Sequence, residues 1–126
     1  MRPHAGGPVF LDLAHIEMPV GALTSILHRI SGIILAVSVP AVVYLLELSI
    51  RDERGFAQAT ELLTHRAFKT AAVLVFWAIA HHALAGARHM LTDIGVGSSL
   101  RAGRGSSWFV NLSALALALL AAGTMW

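Results

Sequence analysis

The chain has 126 residues, of which 56% are hydrophobic and 13% charged, and its mean hydropathy is +0.71; soluble domains carry about 25% charged residues. So apolar a chain has too little polar surface to cover a water-soluble core, and one transmembrane domain over residues 1–126 is the expectation. The absence of cysteine excludes disulfides, thiolate metal sites and iron–sulfur ligation within the chain, and a net charge of only +2 without a basic face implies no nucleic acid.

In chain order, the first twenty residues contain Pro3, Pro8, Asp12, Glu17 and Pro19 and no apolar stretch of the kind that forms a secretory signal, so the first helix is expected to be retained. Residues 30–46 carry no charge, and with their upstream flank they predict a first membrane helix over about 22–48. Pro40 lies within it, where a missing N–H and a ring clash favour a bend that neighbouring helices tolerate. The connection from Ser49 to Arg66 holds Arg51, Asp52, Glu53, Arg54 and Glu61, with an Ala-Gln-Ala-Thr-Glu-Leu-Leu stretch suited to a short interfacial helix. Residues 70–87 are again uncharged and predict a second span over about 68–91; residues 105–126 predict a third over 106–126, with Trp108 and Trp126 at its two ends. The expected fold is therefore an all-α membrane protein with three transmembrane helices. Counting Arg and Lys on the two sides gives Arg2, Arg29, Arg88, Arg101 and Arg104 against Arg51, Arg54, Arg66 and Lys69, too even a division to orient the chain.

Chemistry concentrates at two places. In the second span His82, Gly86 and His89 stand at i, i+4 and i+7 on one helical face, with His81 turned about 100° away and Arg88 nearby. A porphyrin requires an imidazole nitrogen for its iron, a small residue where the backbone nears the ring, and cations near its propionates. His82, Gly86 and Arg88 supply these; equally, membrane histidines hydrogen-bond neighbouring helices, so both readings stand on the residues alone. In the first span Ser25, His28, Arg29 and Gly32 share a face at the membrane boundary. A charge so placed must reach water, an anion or an acceptor, and a hydroxyl, an imidazole and a guanidinium on one stripe are suited to binding quinone carbonyls. Snorkelling of Arg29 is the alternative. Asp93 suits a helix end or, alternatively, a proton path, and Asp12 and His15 suit the interface.

The segments Phe10-Leu11-Asp12-Leu13, Ser25-Ile26-Leu27-His28-Arg29-Ile30-Ser31-Gly32 and His82-Ala83-Leu84-Ala85-Gly86-Ala87-Arg88-His89-Met90 resemble the cytochrome b556 membrane-anchor subunit of succinate dehydrogenase, the large anchor of respiratory complex II. The patterns S-x-x-H-R-x-[ST]-G and H-x-x-x-G-x-R-H are together highly specific, and length and helix layout agree over nearly the whole chain. The resemblance implies a second small membrane anchor as partner, one haem b shared between the two, and docking of an iron–sulfur subunit and a flavoprotein subunit. It implies that His82 is an axial ligand of the haem iron, the other axial histidine coming from the partner anchor. Ser25 and Arg29 would bind ubiquinone; His28 would lie by a propionate, and Arg88 and His89 would be further haem contacts. This chain departs from the pattern in having His81 immediately before the ligand position and Ala87 where a larger aliphatic residue is frequent. The family also implies a bacterial inner membrane location with a cytoplasmic N-terminus. On this reading the chain does not itself oxidise succinate; it conducts electrons to quinone in the complex. The alternatives are the anchor of a fumarate reductase and a cofactor-free structural anchor or assembly protein.

Overall fold

The computed structural model describes residues 18–126; the Phe10–Leu13 segment, with Asp12, and His15 lie outside the described residues. Four helices follow one another: α1 (Val20–Arg51), α2 (Glu53–Thr64), α3 (Arg66–Asp93) and α4 (Leu100–Met125). Three of them, α1, α3 and α4, are long and apolar enough to cross a membrane, and the chain is a multi-pass membrane protein. Their 32, 28 and 26 residues correspond to about 48, 42 and 39 Å at 1.5 Å per residue, more than the roughly 30 Å hydrocarbon layer, so their charged ends reach the interface. The helices run past the ranges expected from hydropathy because a charged residue ends an apolar stretch without ending a helix. α1 remains helical through Pro40, whose missing N–H deprives the Ala36 carbonyl of its usual donor.

The three long helices form a bundle in which α3 touches both α1 and α4, and α1 also reaches α4. The residues buried between them are small or polar: Thr24 and Ser31 on α1, Ala78, His81 and Ala85 on α3, Ser107, Ala114 and Ala118 on α4, with Val110 among them. Large apolar residues such as Ile33, Val37, Phe109 and Leu119 point outward. This inversion of the soluble pattern follows from the solvent: lipid tails are as apolar as Leu, so helices associate through close backbone approach and hydrogen bonds rather than by burying bulk.

Two turns fix the order of the helices. Asp52 caps α2 by accepting from the Gly55 N–H at 2.7 Å, and a Cβ on Gly55 would collide with the Leu48 carbonyl oxygen, so α2 folds back tightly on the end of α1. Between α3 and α4, Gly95 at φ +83° donates to Thr92 O at 3.0 Å while Val96 donates to Leu91 O at 2.8 Å. These paired bonds satisfy the last carbonyls of α3, and glycine adopts the left-handed conformation they need. At the opposite end of the bundle Lys69 donates to the Met125 carbonyl at 2.6 Å, tying the start of α3 to the end of α4.

Candidate functional site

The polar residues of α3 fall on two faces, each directed at a different neighbour. His82, Gly86 and His89 face α1. The His82 ring stacks on that of His28, with centroids 4.2 Å apart and planes inclined at 19°, and His89 meets His28 edge-on at 5.1 Å. His82 Nδ1 lies 3.2 Å from the His28 carbonyl oxygen and 3.3 Å from Ser31 Oγ. Since a carbonyl oxygen only accepts, Nδ1 carries the proton and donates, and the Nε2 lone pair is left for another partner.

Gly32 makes this approach possible. A Cβ there would stand 3.1 Å from His82 Cε1, so the ring occupies space that a side chain would contest, whereas one at Gly86 would meet His28 Nε2 at 3.6 Å, an ordinary van der Waals contact. Nε2 of His28 is itself buried without a hydrogen-bond partner. Ser25 and Arg29 lie on the α1 face adjoining His28, Ser25 half-buried and Arg29 exposed. At 100° per residue they flank the imidazole cluster toward the outside of the bundle.

His81 and Arg88 occupy the other face of α3, toward α4. His81 is fully buried, with Nε2 3.0 Å from Asn111 Oδ1. Arg88 donates from Nε to Ser106 Oγ at 2.9 Å and from Nη2 to the Gly103 carbonyl at 3.3 Å. The structure thus brings His28, His82 and His89 together with Ser25 and Arg29 beside them, and turns Arg88 toward α4. Among the described residues no group of three or more His, Asp or Glu side chains is placed to hold a metal ion.

Residues 5–122 match the family described as succinate dehydrogenase/fumarate reductase transmembrane subunit. The chain belongs to that family. It is 34% identical over 124 residues to the succinate dehydrogenase cytochrome b556 subunit of Coxiella burnetii, covering 98% of this chain and 99% of the relative. Subunits of the same name from Paracoccus denitrificans and Rickettsia felis are each 29% identical, over 115 and 113 residues, covering 90% of this chain in both cases and 87% and 88% of the relatives. Membership agrees with the resemblance carried by the Ser25–Gly32 and His82–Met90 segments.

Three residues of the site's surroundings escaped sequence reasoning. Ser31 was visible only as part of a pattern, although its fully buried hydroxyl reaches His82. Asn111 gave a usable signal, being an amide in a membrane span that must find a partner. Thr24 gave none, since threonine in a helix ordinarily bonds its own backbone; its one hydroxyl proton is shared between Val20 O at 3.0 Å and Asn111 Oδ1 at 3.2 Å.

Proposed function

We propose that this chain is the haem b-binding membrane anchor of a succinate:ubiquinone oxidoreductase in a bacterial inner membrane. In that role it pairs with a second small anchor and docks an iron–sulfur subunit and a flavoprotein subunit. The observation that carries the reading is the anchoring of His82 through Nδ1 to the His28 carbonyl. Iron-ligating histidines are held in this way, because a bond from the second ring N–H fixes both ring orientation and tautomer and leaves Nε2 for the metal. His82 would hold the haem from this chain, and the partner anchor would supply a further ligand. Haem bound there would supply one-electron redox chemistry.

The remaining roles belong to the chain's own side chains. Ser31 and the His28 carbonyl orient His82. The buried, unpartnered Nε2 of His28 is available to a propionate, and His89, edge-on to His28, lines the same side. Arg88 would reach the haem only by giving up Ser106 and the Gly103 carbonyl. Ser25 would donate to one quinone oxygen, and Arg29 would stabilise negative charge as it develops on the reduced ring. All three relatives described above are named for succinate dehydrogenase, which favours that direction of turnover over fumarate reduction. A second reading has a specific observation in its favour: the contacts of His82 with α1 also serve as interhelical hydrogen bonds, as a cofactor-free anchor would use them.

Haem content of the purified complex, assayed as the pyridine adduct, separates the readings. The proposal expects haem in wild type and in His81→Ala and its loss in His82→Ala. An intact wild-type complex without haem would establish the cofactor-free anchor instead.

A further inference from the structure

Two adjacent histidines on a membrane helix pose a problem of selection, and the hydrogen bonds of α3 resolve it. His82 is engaged through Nδ1, which leaves Nε2 open. His81 is engaged through Nε2 by Asn111 Oδ1 at 3.0 Å, and its remaining nitrogen, Nδ1, is buried with no partner. With the Asn111 amide oxygen turned toward the ring, Nε2 of His81 carries the proton and has no lone pair to offer. The same Oδ1 accepts from Thr24 Oγ1 at 3.2 Å, and Thr24 is fully buried. One amide thus joins α1, α3 and α4 in the bundle interior.

We propose that Asn111 is a positioning residue that sequesters His81 and so selects His82 as the haem ligand. The inference rests on the haem-anchor reading above. Rotating α3 by about 100° would exchange the two imidazoles, and their opposed partners prevent it: the His28 carbonyl and Ser31 hold one side, Asn111 and Thr24 the other. A simple packing role for Asn111 would require volume alone; selection requires the acceptor oxygen.

The test is the low-temperature paramagnetic resonance spectrum of oxidised haem in the purified four-subunit complex. Asn111→Leu removes the acceptor at similar volume and is expected to add a second low-spin component, on the order of a tenth of the signal or more, as His81 competes for iron. Asn111→Asp keeps the acceptor and is expected to give a single component. Adding His81→Phe to Asn111→Leu is expected to abolish the second component. If that component persists without His81, it reflects general distortion and the proposal fails; an unchanged spectrum in Asn111→Leu also overturns it. Should the leucine variant not assemble, Asn111→Ser, too short to reach His81, is read in the same way. Failure of the underlying haem reading is distinguishable, because wild type would then give no haem signal at all.

Discussion

The His82 ring lies so close to the Gly32 backbone that a side chain there would press on it. A Cβ placed 3.1 Å from His82 Cε1 forces the ring or α1 to move, and overpacking of this kind costs about 1–3 kcal/mol. Gly32→Ala is therefore expected to lower haem retention on heating and to shift the haem midpoint potential, measured by redox titration of the purified complex; a variant with wild-type retention and potential would show that the ring does not use this space. The helical spacing of His82, Gly86 and His89 made their common face legible in the sequence. Their facing partners were not, because spacing along one helix says nothing about which residues of another helix meet it. For the same reason Arg88, adjacent in sequence to His89, could not be seen to bond across to Ser106 and the Gly103 carbonyl.

Among the elements, the three long helices were readable because stretches without charge are so distinct in a chain of this composition. Their ends were not, since Arg51, Arg66 and Asp93 continue the helices into the interface. The short helix α2 was anticipated from the Ala-Gln-Ala-Thr-Glu-Leu-Leu stretch, but its close return onto α1 depends on a single atom's absence at Gly55. Gly55→Ala would drive a Cβ into the Leu48 carbonyl. The expected result is loss of about 1–3 kcal/mol and faster proteolytic cleavage at Arg51 and Arg54 in detergent; unchanged cleavage would mean that α2 does not pack as described.

At the scale of the molecule, the antiparallel order of α3 and α4 sets the imidazole cluster at the same end as the α3–α4 turn, and α2 at the other. The proposed orientation places the cluster toward the cytoplasm and α2 toward the periplasm. Because the chain contains no cysteine, Ala57→Cys, exposed on α2, provides a clean probe. A membrane-impermeant maleimide is expected to label it in spheroplasts; labelling confined to inverted vesicles would reverse the orientation. Neither charge counting nor the bundle itself could supply this direction, since the cationic side chains divide almost evenly between the two ends.

In the proposed complex this chain holds a haem on the path from succinate to quinone. The most direct test is an optical difference spectrum of the purified complex, reduced first with succinate and then with dithionite, for wild type and His82→Ala. The expected result is a b-type α band that succinate elicits in wild type, and its loss in the variant. An intact wild-type complex with no such band under either reductant would contradict it.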